Sequence, residues 1–227
     1  HGNSMTERKR RKPAGSGHQV RPTRAERSRE TWAALHGAAA AIVGEYGYNG
    51  ASVARITSHA KVAQGSFYTY FRSRQDLFEQ LLPAQGDEML EFIAERVRGS
   101  RTYTEHEERG ARALFEYLGR NPGFLRLLSE TEIAAPDAYR QHFDNIEARY
   151  VGALRRAGDA GEVMVANDRS YRVFVEILSG ARGFLADRFG DPREGDLLVP
   201  ERILQTYLKF AFQGATAPAS GSAGGHD

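Results

Sequence analysis

The sequence has 227 residues, of which 41% are hydrophobic, and a formal net charge of +2 at neutral pH. It contains no cysteine, which excludes disulfides, thiolate metal sites and cysteine nucleophiles. No apolar run reaches the roughly 18 residues that a membrane span needs, and no charged-then-apolar leader opens the chain, so we expect a soluble cytoplasmic protein.

The basic residues are concentrated toward the amino terminus. Residues 1–80 carry 13 Lys or Arg against 6 Asp or Glu, whereas residues 81–227 carry 18 against 23. A basic end on an acidic body is expected where one end meets a polyphosphate. The histidines form no metal-binding pattern, and the sequence offers no nucleophile with its base and no phosphate-binding Gly-rich loop. We therefore expect no enzyme, metal site or cofactor.

Both ends of the chain predict disorder. Residues 1–22 are expected to be a disordered basic arm that begins with an expression scar, HGNS, and carries the run RKRRK at residues 8–12. Such an arm could follow a phosphate backbone or enter a minor groove, or it could be a solubilising tail. Residues 214–227 have almost no large apolar side chains and predict a disordered tail.

Residues 23–75 predict three helices, the last two joined by a short turn. The first runs from residue 23 or 24 to 46, and Gly47 stops it. Its apolar stripe consists of Trp32, Leu35, Ala39, Ile42, Val43 and Tyr46. Ser52 then caps a helix of about nine residues, Val62 fills the angle at the turn, and Gln64 opens a short third helix.

The third helix is anchored by Phe67 and Phe71, so that its polar side chains are left on the outer face. Amide and hydroxyl groups suit base edges and phosphate oxygens, and a small Gly65 lets the backbone approach DNA closely. The candidate DNA-binding residues are Ser52, Arg55, Gln64, Gly65, Ser66, Tyr68, Thr69, Tyr70 and Arg74. The alternative is a three-helix core in which the aromatic residues only pack and no nucleic acid is bound.

Residues 29–78 resemble the DNA-binding domain of the TetR family of bacterial transcriptional regulators. The matching residues are EYGYNGAS at 45–52, Val53, Ile56, Val62 and QGSFYTYFRSRQDLF at 64–78. Two positions depart from the family pattern, because Lys61 stands where a turn glycine is usual and Arg74 replaces a lysine. Lys61 is then either mildly strained or held at a less extreme angle. The resemblance implies a dimer that binds a palindromic operator in double-stranded DNA.

Residues 76–213 predict six helices and no strands, because no apolar and polar alternation with hairpin turns occurs. The fold class is therefore all-α, with a three-helix helix-turn-helix head, a helical ligand-binding and dimerisation domain, and about nine helices in total. The expected helices are 76–99 with Pro83 kinking or restarting it, 105–119, 121–133 with Asn121 as N-cap and Pro122 in the first turn, 136–158, 168–189 with Asp168 as N-cap, and 200–213.

In the TetR family the middle helices usually enclose a small-molecule pocket. The resemblance implies one here, for a largely hydrophobic effector such as an aromatic or acyl compound. The candidate lining residues are Phe92, Phe115, Leu118, Phe124, Leu128, Tyr139, Phe143, Ile146 and Phe174, with Glu132, His142 and Arg149 as polar contacts. The alternative is that aromatic residues at helical spacing are ordinary core residues.

The last two helices are apolar on more than one face, which makes them candidates for a homodimer with a four-helix contact. Their apolar residues are Val173, Phe174, Ile177, Leu178, Ala181, Phe184 and Leu185 on the first, and Ile203, Leu204, Tyr207, Leu208, Phe210, Ala211 and Phe212 on the second. In a monomer the same helices would simply complete the core.

Together these features predict a dimeric repressor that a small effector releases from its operator. The alternative is a ligand-independent protein that organises DNA or binds a partner with the same head.

Overall fold

The computed structural model describes residues 23–163, 167–191 and 197–215. In these residues the chain is all-α and forms nine helices, which confirms the predicted fold class. They are α1 (Arg24–Gly50), α2 (Val53–Ala60), α3 (Gln64–Tyr70), α4 (Arg74–Val97), α5 (Tyr103–Arg120), α6 (Phe124–Ala134), α7 (Pro136–Asp159), α8 (Asp168–Phe189) and α9 (Glu201–Ala215). The predicted arm and residues 216–227 of the predicted tail lie outside the described residues.

Local hydrogen bonds explain where the helices of the head begin and end. Thr23 caps α1 in a reciprocal capping box with Glu26. The predicted cap Ser52 accepts a hydrogen bond from the backbone N–H of Arg55 at 3.2 Å. Gly47, the predicted stop, has φ 73° and interrupts α1, although a last helical segment continues to Gly50.

The turn between α2 and α3 keeps a left-handed backbone without a glycine. Lys61 adopts φ 56° and ψ 39° at the end of α2, a conformation that is uncommon for any residue with a Cβ. The backbone N–H of Lys61 donates to the Ser58 carbonyl at 3.2 Å, and that of Val62 donates to the Thr57 carbonyl at 3.0 Å. These helix-terminating bonds hold the lysine in the position that glycine usually takes.

Two predicted N-caps were wrong, and α4 does not restart at its proline. Asn121 ends α5 by donating its backbone N–H to the Tyr117 carbonyl at 2.9 Å, so α6 begins only at Phe124. The cap of α8 is Asn167, whose side-chain oxygen accepts from the backbone N–H of Ser170 at 3.0 Å. Pro83 lies within a single helix, α4, which is not divided there.

One apolar core runs from the head into the body. Phe67 of α3 and Phe71, which directly follows that helix, are almost completely buried in the same cluster as Phe115 of α5 and Leu204 of α9. Helix α4 belongs to both parts, because Leu77 packs in this core at its beginning and Leu90 near its end. The head is therefore packed onto the body and shares a helix with it.

The contact between α1 and α6 is a second junction of head and body. A Cβ atom on Gly44 would lie only 2.7 Å from the Cα of Gly123, so the two backbones approach too closely for any larger residue. Nearby, the Glu130 carboxylate accepts from the backbone N–H of Tyr48 at 3.1 Å. Arg126 donates to the Glu45 carbonyl at 2.8 Å. Helix α6 is thus held against the end of α1.

Acidification is expected to destabilise the fold through two buried histidines. His36 stacks on Trp32 with ring centroids 3.8 Å apart, and neither of its ring nitrogens has a hydrogen-bond partner. Burial lowers the pKa of His36 to about 4, and burial also lowers the pKa of His142 to about 4. Because the unfolded state binds these protons below a pH of about 6.5, stability is complete above that pH and falls as the pH drops toward 4.

Between pH 7 and pH 5 each histidine should contribute a loss of about 2 kcal/mol in the free energy of unfolding. Burial also lowers the pKa of His106, so His36→Leu should remove only the contribution of His36, about 2 kcal/mol, and leave the remaining pH dependence in place. Urea unfolding of the wild type and the variant at both pH values measures this difference. An equal pH dependence in the two proteins would contradict the assignment.

Candidate functional site

Helix α3 places one face in the core and the other in solvent. Phe67 is fully buried, whereas Tyr68 next to it is 59% exposed. Six of the predicted DNA-binding residues lie on this short helix: Gln64, Gly65, Tyr68 and Thr69 are exposed, and Ser66 and Tyr70 are half-buried. A Cβ at Gly65 would meet nothing within 4 Å, so the backbone is open to solvent there. The face offers amide and hydroxyl groups of the kind that contact bases and phosphates.

The three other predicted residues lie beside α3. Ser52 caps α2. Arg55 donates to the Gly50 carbonyl at 2.8 Å, and its guanidinium carbon lies 4.6 Å from the centre of the Tyr46 ring. Arg74 donates to the Tyr48 carbonyl at 3.2 Å and lies 4.2 Å from the centre of the Tyr48 ring. Aromatic rings and carbonyls therefore hold both guanidinium groups in defined positions.

The α2–α4 segment exposes two more cations outside the predicted set, Lys61 and Arg72. The side chain of Arg72 is 93% exposed, although its backbone N–H donates to the Asp76 carboxylate at 2.8 Å. That bond, with the other contacts of Arg72, lowers the pKa of Asp76. Both cations could have been included from the sequence by their charge and their position next to α3.

The helices of the body surround an apolar cavity of about 400 Å³. Helices α4 and α5 run antiparallel along it, since Arg109 of α5 donates to the Arg98 carbonyl at one end and the rings of Phe92 and Tyr117 meet toward the other. The lining residues are Met89, Leu90, Ile93, Ala94, Val97, His106, Glu107, Gly110, Leu114, Leu118, Phe124, Leu125, Leu128, His142, Phe143, Ile146, Arg149, Tyr150, Ala153, Arg156, Ser179, Arg182 and Gly183.

The structure brings seven of the twelve predicted ligand-binding residues together at this cavity. They are Leu118, Phe124, Leu128, His142, Phe143, Ile146 and Arg149. The other five are not among its lining residues: Phe92, Phe115, Glu132, Tyr139 and Phe174. Helical geometry explains two of these, because Glu132 is exposed on α6 and Phe92 faces Arg96, whose guanidinium carbon lies 3.2 Å from the centre of the ring.

A buried polar cluster occupies one end of the cavity. We call it the Glu107 cluster; it comprises Glu107 of α5, Tyr150 of α7, Arg182 of α8 and Tyr207 of α9. The Glu107 carboxylate pairs with the Arg182 guanidinium and accepts from the Tyr150 hydroxyl, and it also accepts from the Tyr207 hydroxyl at 2.6 Å. Arg182 donates to Tyr207 at 2.8 Å and to Tyr150 at 2.6 Å. The ion pair and its two phenols therefore join four helices.

The protonation states in the cluster follow from this geometry. Burial opposes the charge of Arg182, but Glu107 and Tyr207 outweigh it and raise the pKa of the guanidinium. Burial also raises the pKa of Tyr207, so its hydroxyl remains a donor. The sequence interpretation missed the cluster. One feature of the sequence does indicate it. Arg182 lies four residues from both Leu178 and Ala186, on the buried face of α8, where a charge requires a buried partner.

The described part of the chain contains no cluster of three or more His, Asp or Glu that could hold a metal ion. Within those residues, no helix combines the length and the apolar character that a membrane span requires.

Residues 36–81, which contain the α2–α3 unit, match the family model for bacterial regulatory proteins of the tetR family. The match assigns this segment, residues 36–81, to the TetR-family DNA-binding unit. The A-factor receptor protein of Streptomyces griseus is 32% identical over 59 residues, which cover 26% of this chain and 21% of that relative. The match thus spans about a fifth of the relative's length.

Solved structures of TetR-like proteins share the fold of the whole described chain. A TetR-family regulator from Rhodococcus sp. has a TM-score of 0.70 at 17% identity and covers 83% of this chain and 100% of its own. The transcriptional regulator FadR from Bacillus subtilis, solved in complex with stearoyl-CoA, has a TM-score of 0.67 at 18% identity and covers 81% and 98%. At these identities the likeness concerns the TetR-family fold.

Breaking the buried ion pair should be far more costly than breaking an exposed one next to it. Glu107→Ala leaves the Arg182 charge buried without its partner, and we expect the free energy of unfolding to fall by about 3 to 5 kcal/mol. The neighbouring Glu108 is 46% exposed and lies 3.9 Å from Arg112, so Glu108→Ala should cost less than about 1 kcal/mol. Urea unfolding compares the two variants, and equal losses would refute the structural role of the cluster.

Proposed function

We propose that this chain is a cytoplasmic, dimeric repressor of the TetR family. In this proposal residues 23–75 bind a palindromic operator in double-stranded DNA, and residues 76–213 dimerise and bind a small, largely apolar effector that releases the DNA. The exposed face of α3 is the observation that carries the proposal. It presents amide, hydroxyl and phenol groups on a short helix that two buried phenylalanines fix in place.

Readout of DNA requires a rigid helix with donors and acceptors that reach the major groove. Helix α3 meets the first requirement because Phe67 and Phe71 are 0% and 1% exposed. The anchored guanidinium groups of Arg55 and Arg74 lie beside it and suit phosphate oxygens, which set the register of a protein on the duplex. The excess of basic over acidic side chains in residues 1–80 adds a general attraction to the phosphate backbone.

Dimerisation is supported by an apolar face on α8 that nothing in the described chain covers. Val173 and Ile177 are each 54% exposed and Phe184 is 65% exposed. Gly180 lies between them along the same face, and a Cβ there would meet nothing within 4 Å. On α9, Phe210 is 66% exposed. A two-fold contact between such faces buries them and sets the spacing of two heads.

Effector binding is supported by the cavity and by its neighbours. Apolar walls with a few polar groups suit a mostly hydrophobic molecule. The cavity touches Phe124 and Leu128 of α6, and α6 is also the helix that holds the end of α1. FadR, which shares the fold, was solved with an acyl-CoA. A ligand that favours a different α6 position would change the head spacing, with a coupling of typically about 1 to 3 kcal/mol.

The DNA surface is tested by Tyr68→Phe and Gln64→Ala. Each removes a group proposed to contact DNA, so affinity for the DNA upstream of the protein's own gene should fall by about tenfold. Gln141→Ala, an exposed glutamine on α7, is the matched control and should bind as the wild type does. Fluorescence anisotropy across a salt series, with random DNA beside it, measures the affinities.

Wild-type affinity in both α3 variants would refute the assigned surface. Equal and steeply salt-dependent binding to operator and random DNA would favour the ligand-independent DNA-organising alternative.

The dimer surface is tested with a matched pair of isoleucines. Ile177→Glu places a charge on the exposed face of α8 and should shift the protein from dimer to monomer, because an unpaired charge cannot be buried at an apolar interface. Ile133 is 87% exposed on α6, outside this face, so Ile133→Glu should leave the dimer intact. Sedimentation velocity distinguishes the two states. A dimer in both variants, or a monomeric wild type, would contradict the proposal.

A further inference from the structure

The Glu107 cluster is more than an internal tie between helices, because three of its members line the cavity. Glu107, Tyr150 and Arg182 all contribute to the wall, while Tyr207 supports them from α9. Glu107 is 1% exposed and Arg182 7% exposed. The cavity therefore has a polar end built from buried groups, and the rest of its wall is mostly apolar.

The direction of the hydrogen bonds determines what this polar end can accept. Glu107 accepts from two phenols and from the guanidinium, so the acceptor capacity of its carboxylate is largely used. Each phenol donates to Glu107 and accepts from Arg182. The described bonds of Arg182 use Nε and Nη2, and a guanidinium carries a second terminal nitrogen with two more hydrogens. The cluster is thus a source of donors.

The charges determine whether the incoming acceptor is ionised. The positive charge of Arg182 is already balanced by Glu107, and a ligand carboxylate bound to Arg182 would lie close to the like charge of Glu107. A cationic group would instead meet Arg182. At the Glu107 cluster an uncharged acceptor is therefore favoured over an ion of either sign. The two other arginines that line the cavity, Arg149 and Arg156, lie on α7 outside this hydrogen-bonded cluster.

We propose that the Glu107 cluster recognises an uncharged carbonyl on an otherwise apolar effector, with Arg182 as the donor. The apolar part of that effector lies along the wall between Glu107 and Leu118, which are separated by about 16 Å along α5. This inference rests on the proposed effector cavity, and it specifies the chemical class of the molecule that fills it.

A pair of isosteric probes tests the carbonyl directly. 2-Nonanone and 2-methyl-1-nonene have the same shape, but the second carries a methylene in place of the carbonyl oxygen. Both are used to displace 1,6-diphenylhexatriene, a fluorescent hydrocarbon with no polar atom. The double variant Glu107→Gln/Arg182→Gln removes both charges together, so that neither is left buried alone.

In the double variant the affinity of 2-nonanone should fall about tenfold, as expected for one hydrogen bond from a charged donor. The affinities of the alkene and of diphenylhexatriene should change less than about twofold. Leu128→Ala, a change in the apolar wall, should weaken the ketone and the alkene alike. Circular dichroism verifies that both variants are folded.

Equal losses of affinity for ketone and alkene in the double variant would assign the cluster a purely structural role and overturn the inference. No loss of affinity for either probe would overturn it as well.

If the double variant does not fold, Tyr150→Phe replaces it. Removal of this hydroxyl frees an Arg182 donor and should strengthen the ketone relative to the alkene, and an unchanged ratio would refute the proposal. If diphenylhexatriene does not bind the wild type, the proposed effector cavity is refuted, and this inference is refuted with it.

Discussion

The pairing of Glu107 with Arg182 is the interaction on which the body of this protein depends. Two charges that are removed from water are stable only as an ion pair whose remaining polar atoms are also hydrogen-bonded. Here two phenols supply those hydrogen bonds. Apolar packing tolerates small shifts of one helix along another, but a hydrogen-bonded cluster allows little freedom. Since its members come from α5, α7, α8 and α9, the cluster fixes the relative register of four helices.

The Glu107 cluster lies at one end of the cavity in the body. At the other end the wall is apolar and is formed by Phe124 and Leu128 of α6. Helix α6 is bound to the head by backbone and side-chain contacts, namely the close approach of Gly44 to Gly123 and the bond of Glu130 to Tyr48. The end at Glu107 is held by a buried ion pair, whereas α6 is held by a close backbone contact and by hydrogen bonds of partly exposed side chains to the end of α1. In the proposed mechanism, a molecule that needs more room therefore displaces α6 more easily than α8.

Much of the fold could be predicted from the sequence, because helices are local. The spacing of Phe67 and Phe71 and the cap at Ser52 are readable from a few consecutive residues, and the structure has both. The predicted N-cap of α6 was wrong because Asn121 can either cap α6 or end α5, and in the structure it ends α5. The position of Arg182 on the buried face of α8 indicates that a buried partner exists, but the identity of its partners was beyond prediction, since the four residues of the Glu107 cluster lie on four helices and only packing brings them together.

The geometry of the proposed release of DNA depends on helix α4. It begins one short turn after α3, with Ser73 as its cap, and Leu90 lines the cavity 17 residues later, a distance of about 25 Å along the helix. A rigid helix of this length converts a tilt of about 5° at the cavity into a displacement of about 2 Å at Ser73. Leu77 and Leu81 belong to the same core cluster as Phe67, and in the proposed mechanism this shared packing transmits the movement of α4 to α3. In the proposed dimer, a modest change in cavity shape would therefore alter the separation of the two recognition helices.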